Sequence, residues 1–475
     1  MFAKTGLRVL RAHNMRVFRT YATPAMDKTL LDASKTLHDA SKKPYDANKK
    51  TLVLLGTGWG TTTILKNLDT HNFNVVVVSP RNYFLFTPLL PSCTVGTTES
   101  RSIMEPIRHI VGRRGKDMRF IEAECTDIDV AAKQLTLTRT LDPTAHTHIK
   151  YDHLVVGVGG TYNTFGTPGV EQHACFLKEI NDASKIRRRL KDAIEKASFG
   201  DVAPEERDRL LHVVVVGGGP TGVEFAGEMH DLVTEDLAKW VPSLSRHIKI
   251  TLVEALPNVL PSFDKRLVKY TEYMFAKNGI QLRTNTRVHS VGDRTLRVST
   301  NGVESDVPYG TIVWAAGIRA RQFAHTLRAK VPDVQTSARG LIIDDYLRVQ
   351  GTQDIWALGD CTVSKNAPLA QVASQQGKWL ARRLNALAHD ADAFQKIQTH
   401  KPFIYASNGS LAYIGSERAI AELPWFNKQI TLNGPFASVF WKAYCLWELS
   451  SVRSSLSVAT DWAKRALFGR TMSVD

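Results

Sequence analysis

The chain has 475 residues and a mass of 52.9 kDa, a length that allows about three domains of ordinary size. Its 43% hydrophobic and 23% charged residues exclude wholesale disorder, a coiled coil and a small disulfide-rich fold. Because 61 Lys and Arg oppose 46 Asp and Glu, the net charge is +15, which favours an anionic membrane surface or nucleic acid as a partner. No run of about 18 apolar residues occurs, so no transmembrane helix is expected.

The first segment of the chain is rich in arginine and has no acidic residue before Asp27. In residues 1–26 the bases alternate with apolar residues and do not flank a single apolar block. This pattern is typical of a mitochondrial transit peptide and argues against a secretory signal. A disordered basic tail is the alternative. Residues 27–50 are polar and Lys-rich and are predicted to be a linker.

A glycine-rich turn follows the first apolar strand, which is predicted at residues 51–55. Residues 56–60 (GTGWG) precede a helical pattern, and a second apolar strand at residues 75–78 completes a βαβ unit. Glycines at this junction let the backbone turn tightly and let a pyrophosphate approach the helix N-terminus. Residues 79–81 (SPR) stand where an acid that binds a ribose is normally expected. A glycine turn without a ligand is the alternative.

A second glycine-rich turn gives a more specific signal. Gly217, Gly219 and Gly222 satisfy the pattern GxGxxG directly after a buried strand. The next strand, at residues 248–253, ends at Glu254. A carboxylate at this point accepts hydrogen bonds from both ribose hydroxyls and repels a 2′-phosphate, so it predicts NADH in preference to NADPH. A surface glutamate without this role is the alternative.

Two dinucleotide folds in one chain predict two dinucleotides, a bound redox cofactor and an exchangeable donor. Residues 151–160 and 311–317 are apolar strands that end in glycines, as expected for the strand that returns from each domain. A further strand at residues 355–358 leads to Asp360, whose carboxylate suits the ribityl and pyrophosphate region of FAD. The order of these segments therefore predicts an FAD domain in two parts around an NADH domain.

From about residue 50 to its end, the chain resembles the type II, non-proton-pumping NADH:quinone oxidoreductases of mitochondria and bacteria. The most specific stretches are residues 79–91 (SPRNYFLFTPLLP), residues 163–170 (NTFGTPGV) and the second glycine motif. Residues 370–376 (AQVASQQ) resemble the quinone motif AQxAxQ of this family. Residues 159–162 (GGTY) depart from the family pattern, which leaves the ligand contacts of that loop open.

The resemblance implies a role for three side chains near the flavin. Glu224 would lie beside the nicotinamide and the flavin, where it orients the reactants or helps to relay a proton; a first-turn acid favoured by the helix dipole is the alternative. Gln371 and Gln375 are four residues apart, so they share one helix face and would both contact the quinone ring. Two exposed glutamines are the alternative. The N-terminus of their helix would stabilise the reduced flavin.

These motifs and the resemblance together give the predicted ligand contacts. FAD, bound without a covalent link, is assigned to Gly56, Gly58, Gly60, Ser79, Pro80, Arg81, Thr87, Gly159, Asp360 and Gln371. The substrate NADH is assigned to Gly217, Gly219, Gly222, Glu224, Glu254, Ala316 and Gly317. The quinone site is assigned to Glu224, Gln371 and Gln375.

Two amphipathic segments near the C-terminus predict attachment to the membrane that holds the quinone. Aromatic residues recur at helical spacing in the first segment, and bases oppose an apolar face in the second, as in a helix that lies on anionic lipid. A core or dimer helix is the alternative, and in the family this region does both. The residues concerned are Phe436, Phe440, Trp441, Tyr444 and Trp447 in the first segment, and Leu456, Ala459, Ala463 and Leu467 with Arg453, Lys464, Arg465 and Arg470 in the second.

Several other classes of protein fit the sequence less well. A disulfide reductase needs a paired cysteine motif, and the five cysteines are isolated in sequence. A sulfide:quinone oxidoreductase could use Cys175 and Cys361, but the intact NADH motif argues against it. A non-enzymatic NADH-binding signalling flavoprotein would use the basic charge for DNA, yet no DNA-binding motif is found. No EF-hand loop or other metal site is recognised, so neither calcium nor another metal is expected.

The sequence thus predicts an α/β fold with two Rossmann-like dinucleotide-binding domains, one for FAD and one for NADH, and a C-terminal amphipathic-helix region that anchors the protein to the membrane. The expected partners are ubiquinone, anionic lipid of the mitochondrial inner membrane and a second copy of the chain. The linker contains no stop-transfer stretch, which favours the matrix side. The predicted segments are a transit peptide (1–26), a linker (27–50), the FAD domain (51–175 and 321–400), the NADH domain (176–320) and the C-terminal region (401–475).

Overall fold

The computed structural model describes residues 46–112, 118–388, 401–425 and 428–472. The predicted transit peptide and most of the predicted linker lie outside these ranges. The strands in chain order are β1 (Lys50–Leu55), β2 (Phe73–Ser79), β3 (Tyr83–Leu85), β4 (Met104–Pro106), β5 (Arg119–Asp129), β6 (Gln134–Arg139), β7 (Asp142–Lys150), β8 (His153–Val156), β9 (Gly160–Tyr162), β10 (Cys175–Phe176), β11 (His212–Val216), β12 (Lys249–Val253), β13 (Gln281–Arg283), β14 (Thr286–Val291), β15 (Thr295–Thr300), β16 (Val303–Pro308), β17 (Thr311–Trp314), β18 (Ile318–Ala320), β19 (Leu341–Ile342), β20 (Ile355–Ala357), β21 (Thr362–Val363), β22 (Ser410–Gly415), β23 (Arg418–Trp425) and β24 (Lys428–Gly434).

The helices alternate with these strands through most of the chain. They are α1 (Trp59–Asn67), α2 (Leu90–Thr94), α3 (Ile107–Gly112), α4 (Val170–His173), α5 (Ile180–Ala197), α6 (Pro204–Leu210), α7 (Pro220–Asp231), α8 (Ala238–Trp240), α9 (Pro242–Ser245), α10 (Lys265–Lys277), α11 (Gln322–Lys330), α12 (Ala370–Leu387), α13 (Pro435–Glu448) and α14 (Val452–Phe468). Among the described helices, none is both long and apolar enough to cross a lipid bilayer.

The first sheet has the strand order β20-β8-β1-β2-β5-β6-β7. Its central strands β1, β2 and β8 are parallel and almost entirely buried, which explains their continuous apolar sequence. Strand β20 joins this sheet in parallel with β8, although about 200 residues of chain separate the two. The predicted return of the chain to its first domain is therefore observed.

A second parallel sheet has the strand order β10-β17-β11-β12-β13. Strand β17 pairs with β11, as predicted for the strand that returns from the second dinucleotide domain. Helix α7 continues directly into a π-helical segment at Leu232–Leu237 and then into α8. This long helical run explains why Glu254 lies farther from the glycine motif than usual.

Antiparallel sheets complete the fold, and the sequence did not predict them. Strands β6 and β7 extend the first sheet, while β14, β15 and β16 form a separate sheet beside the second. Near the C-terminus, β22, β23 and β24 form a three-stranded meander that is followed by helices α13 and α14. The two Rossmann-like domains are confirmed, and the C-terminal region contains a sheet as well as the predicted helices.

Candidate active site

The first glycine turn brings the end of β1 against the start of α1. Gly56 has φ +95°, and a Cβ built on it would lie 2.4 Å from the carbonyl oxygen of Gly157, so only glycine fits here. Gly58 precedes α1 and gives it no side-chain cap; a Cβ on this residue would contact nothing. The N–H groups of the first helical turn are therefore available to an anion, as a dinucleotide pyrophosphate requires.

The turn opens onto a cavity of about 600 Å³. Around it, side chains are held in place by hydrogen bonds and ion pairs. The Ser79 hydroxyl lies 3.1 Å from Thr57 Oγ1 and accepts from the backbone N–H of Arg81. Arg81 pairs with Glu179 at 2.5 Å, and Lys178 pairs with Asp360 at 3.3 Å. The cavity is lined by Gly56, Gly58, Gly60, Ser79, Pro80, Arg81, Thr87, Gly159 and Asp360, which are the predicted FAD residues except Gln371.

These residues fit FAD in chemical terms. The cradle of small residues suits a pyrophosphate, and the Asp360 carboxylate can accept hydrogen bonds from hydroxyl groups of a ribityl chain. Ser79, at the C-terminal end of β2, supplies a hydroxyl where other dinucleotide folds have an acid. The individual contacts with FAD stay predictions.

The side chains of Gln371 and Gln375 form hydrogen bonds to a neighbouring backbone segment. Neither residue is among the described residues that line this cavity. Gln371 donates to the carbonyl oxygen of Gly409 at 3.0 Å and accepts from the N–H of Asn408 at 3.1 Å. Gln375 bonds in the same way to both backbone groups of Ala406, at 2.7 and 3.1 Å. The two side chains lie on one helix face, as predicted, and hold residues 406–409 to α12.

The second glycine turn joins β11 to α7 with little space between backbone segments. A Cβ on Gly222 would lie 2.0 Å from the carbonyl oxygen of Gly217, and Gly217 itself has φ +114°. Gly219 precedes α7 and provides no side-chain cap. Ala316 and Gly317 follow the adjacent strand β17. The residues predicted to bind NADH therefore meet at the C-terminal edge of the second sheet, where dinucleotides bind.

Glu254 lies directly beneath this turn. Its Oε2 accepts from the backbone N–H of Gly218 at 2.5 Å, and its Oε1 accepts from the N–H of Leu256 at 2.7 Å. These two bonds fix the carboxylate at the end of β12, where the sequence placed it. The ribose contact itself stays a prediction.

Glu224 links the two halves of the site because it lies on α7 and also lines the 600 Å³ cavity. Its side chain is 8% exposed, and the backbone N–H of Tyr413 donates to Oε1 at 3.4 Å. Burial raises the pKa of Glu224 to about 8; the Tyr413 N–H opposes this shift, and the charge of Glu228 adds to it. A carboxyl group that stays protonated near neutral pH can donate a proton into the cavity.

Several buried polar residues near the site were not predicted from the sequence. Glu228 and Asp231, on the same helix, are 3% and 1% exposed, although the motif gave no sign of their burial. Gln376, next to the predicted quinone residues, accepts from the backbone N–H of Gly359 at 2.8 Å and so connects α12 to the loop of Asp360. Tyr413 lies on β22, a strand that was not predicted.

The predicted membrane-facing surface is only partly observed. In α13 and α14 the strongly exposed apolar side chains are Phe436, Val439, Trp447, Val452, Leu456, Leu467 and Phe468. Trp441, by contrast, is buried and packs against Tyr413 and Trp462.

Two of the bases assigned to the lipid-facing surface were assigned wrongly. Arg465 binds Glu235 and Glu417, and Arg470 binds Glu235 and Asp236. Their side chains are 12% and 1% exposed, so they neutralise acids within the protein and are not available to anionic lipid. Arg453 and Lys464 remain exposed.

The cysteines provide no redox pair. All five are free thiols and buried. Cys175 and Cys361, the candidates for sulfide chemistry, are both fully buried in the core, and the Cys361 thiol donates to the carbonyl oxygens of Val156 and Leu358. Burial raises the pKa of Cys361 to about 11, so its reactive thiolate form is disfavoured.

Comparisons with known proteins agree with this architecture. Residues 50–377 match the family described as pyridine nucleotide-disulphide oxidoreductase, and residues 408–471 match the NDH2 C-terminal domain. The external alternative NADH-ubiquinone oxidoreductase of Yarrowia lipolytica mitochondria is 46% identical, over 89% of this chain and 80% of the relative. External NADH-ubiquinone oxidoreductase 2 of Saccharomyces cerevisiae mitochondria is 45% identical, over 90% and 82%.

Solved structures give the same result. NDH2 from Plasmodium falciparum in complex with NADH has a TM-score of 0.85 and 28% identity, and the match covers 90% of this chain and 100% of that one. The sulfide:quinone oxidoreductase of Aquifex aeolicus, at 18% identity and a TM-score of 0.66, shares the fold. Since the first glycine turn and the start of α7 line one cavity, and relatives of this similarity cover most of its length, the chain belongs to the type II NADH-ubiquinone oxidoreductase family.

Proposed function

We propose that the chain transfers two electrons from NADH to ubiquinone, in the balanced reaction NADH + H⁺ + ubiquinone → NAD⁺ + ubiquinol, without pumping protons. The family is one of FAD-dependent oxidoreductases, and FAD supplies the two-electron chemistry when it is bound. The observation that carries the proposal is that the cavity at the first glycine turn is also lined by Pro220, Thr221 and the buried Glu224 of α7, the helix that begins at the second glycine turn. The names of the relatives support NADH and ubiquinone as the reactants.

The positions of the residues then indicate which part of FAD or NADH each would bind. The glycine cradle and the N-terminus of α1 would hold the FAD pyrophosphate, and Asp360 would hold the ribityl chain. The second cradle and Glu254 would hold the adenosine half of NADH. Pro220 and Thr221, in the first turn of α7, also line the 600 Å³ cavity, so NADH bound at the second turn can reach it.

Glu224 would hold the proton that ubiquinone needs. The hydride of NADH carries two electrons and one proton equivalent, so ubiquinol formation requires one further proton. A carboxyl group with a pKa of about 8 carries that proton at neutral pH and lies beside the cavity. As the pH rises through about 8 this group loses its proton, so quinone reduction should slow in that range.

The first test is Glu224→Gln, measured by stopped-flow kinetics of the two half-reactions. We expect flavin reduction by NADH to persist, whereas flavin oxidation by a soluble ubiquinone slows by about 10²-fold, the lower end of the effect of one general acid. The decline above pH 8 should disappear with the titrating group.

The matched control for this test is Glu195→Gln, which changes an exposed acid on α5 and should alter neither half-reaction. A Glu224→Gln enzyme that reduces ubiquinone at the normal rate would contradict the role of Glu224. Purified protein that holds no flavin, even after FAD is supplied, would contradict the whole proposal.

Gln371 and Gln375 are proposed to act at the quinone site by holding residues 406–409 in place. Ala370, Ala373 and Leu411, which flank these contacts, line the cavity, so the clamped segment borders the space that a quinone ring would occupy. In the stopped-flow experiment, the double change Gln371→Ala and Gln375→Ala should slow quinone reduction more than flavin reduction. Equal loss of both would count against the assignment.

Membrane attachment is proposed for the exposed apolar face of α13 and α14. Several relatives are named mitochondrial, and those of Y. lipolytica and S. cerevisiae are named external. We therefore propose the inner membrane and its intermembrane-space side, which reverses the matrix orientation favoured by the linker. Protease should then reach the protein once the outer membrane is opened and the inner membrane is intact.

A homodimer, measured by light scattering in detergent, is proposed from the family resemblance alone.

A further inference from the structure

Three buried carboxylates follow one face of α7 inward from the cavity. Glu224, Glu228 and Asp231 are spaced four and three residues apart, which places them one above the other, and they are 8%, 3% and 1% exposed. Of these three carboxylates, Glu224 lines the cavity, whereas Glu228 and Asp231 do not. Glu228 therefore touches no reactant, and the proposed mechanism gives it no task. A buried charge is costly unless it is paired, so a buried carboxylate such as Glu228 needs polar partners.

Both carboxylate oxygens of Glu228 accept a hydroxyl hydrogen bond. Ser92 donates to Oε1 and Thr97 donates to Oε2, each at 2.6 Å. The side chain of Thr97 is in turn bound by Arg470 Nε at 2.9 Å. The residues that hold Glu228 thus come from two distant parts of the chain, α2 with its following loop and the segment after α14. Burial raises the pKa of Glu228, and the hydrogen bonds from Ser92 and Thr97 oppose that shift by favouring its ionised form.

Charged and titratable groups from several elements face Glu224 and Glu228, among them Cys93 of α2 beside Glu228. Asp231 lies on the same helix as Glu228, and Arg470 faces Glu228 from the C-terminal segment. Glu235 and Asp236, at the end of the helical run, bind Arg470. Tyr413 of β22 and Cys445 of α13 lie beside Glu224. Burial raises the pKa of Glu228, and Arg470 opposes that shift.

The carboxyl group of Glu228 lies one helical turn from Glu224, inside the protein, where a charge on either side chain is weakly screened. We propose that Glu228 is a positioning residue for quinone reduction: fixed by Ser92, Thr97 and Arg470, its charge keeps the transferable proton on Glu224. Replacing it by a neutral side chain removes that repulsion, so Glu224 would release its proton at lower pH. This inference rests on the proposed function of Glu224.

The test compares Glu228→Gln with Glu105→Gln. Glu105 is an equally buried acid, 2% exposed, whose Oε2 accepts from Ser451 and Ser454 at 2.6 and 2.7 Å. Both variants lose one buried carboxylate with two hydroxyl donors, but only Glu228 lies next to Glu224. Two quantities are measured against pH, the rate of flavin oxidation by ubiquinone and the infrared band of the protonated carboxylic acid that Glu224→Gln abolishes.

In Glu228→Gln, both midpoints should move down by about one pH unit, so that quinone reduction already declines near pH 7. Glu228→Asp, which keeps the charge, should restore the midpoint toward that of the natural enzyme, and Glu105→Gln should leave it unchanged. If Glu228→Gln does not retain flavin, Ser92→Ala, which removes one donor to Glu228, should shift the midpoint in the same direction by less.

The outcomes separate this inference from the proposed function. A rate decline that persists in Glu224→Gln overturns the role of Glu224, and this inference with it. A decline that depends on Glu224 but keeps its midpoint in Glu228→Gln and Ser92→Ala overturns the inference alone. An equal shift in Glu105→Gln overturns it as well, because the effect would then follow from the loss of any buried acid.

Discussion

At Glu254 the carboxylate is held by two backbone N–H groups before any nucleotide arrives. These bonds to Gly218 and Leu256 orient the side chain and leave lone pairs for ribose hydroxyls, since each carboxylate oxygen accepts more than one hydrogen bond. The fixed negative charge also disfavours a 2′-phosphate at the same place.

We therefore predict that Glu254→Gln lowers the preference for NADH over NADPH. The ratio of the two kcat/KM values should fall by about tenfold, which corresponds to about 1.4 kcal/mol, because the repulsion of the phosphate is lost. Glu304→Gln, which changes an exposed acid on β16, serves as the control. An unchanged ratio in Glu254→Gln would refute the role in selectivity.

Single residues also show what the sequence could not reveal. The glycines were predictable because their conformation and close contacts depend on a few adjacent positions. Arg465 and Arg470 were misassigned because helical spacing shows where a base points along its own helix. It does not show whether an acid from another element lies within reach of that base, as Glu235 and Asp236 do. Glu228 was missed for the same reason.

In helices α13 and α14, the local spacing was likewise predictable from the sequence, whereas the contacts with other elements were not. Their amphipathic spacing was predicted correctly, but one aromatic residue of α13, Trp441, is buried and packs inward. The meander of β22, β23 and β24, which packs against that side, was not predicted, since none of its strands leads into a glycine motif of the kind that marks the parallel sheets. The outward side still carries Phe436, Trp447 and Phe468, which are 72%, 84% and 81% exposed.

We predict that the triple change Phe436→Glu, Trp447→Glu and Phe468→Glu releases the protein from membranes. Each apolar side chain contributes about 1.5 kcal/mol or more when it is buried, so partition into vesicles that contain cardiolipin should fall by about 100-fold or more. Vesicle flotation measures this partition.

The matched control places three glutamates on the dinucleotide-binding domains, at Leu141, Phe199 and Val303, which are 93%, 65% and 71% exposed. This variant should float with the vesicles like the unchanged protein. If the first variant also floats normally, the anchor lies elsewhere.

For the molecule as a whole, the order of the motifs was enough to predict two interleaved dinucleotide domains. Strand β20 returns to the first sheet beside β8, as the apolar segment before Asp360 indicated. The way in which the C-terminal region contacts the two domains could not be predicted, since it depends on pairs such as Glu105 with Ser451 that are 346 residues apart.

Those distant pairs restrict how the enzyme can move. Ser451 and Ser454 attach the C-terminal helices to the first domain through Glu105, and Arg465 attaches them to the second through Glu235. A clamshell rotation that spread the two domains would have to break one of these attachments. We therefore expect NADH and ubiquinone to enter and leave without a large change in the distance between the two domains.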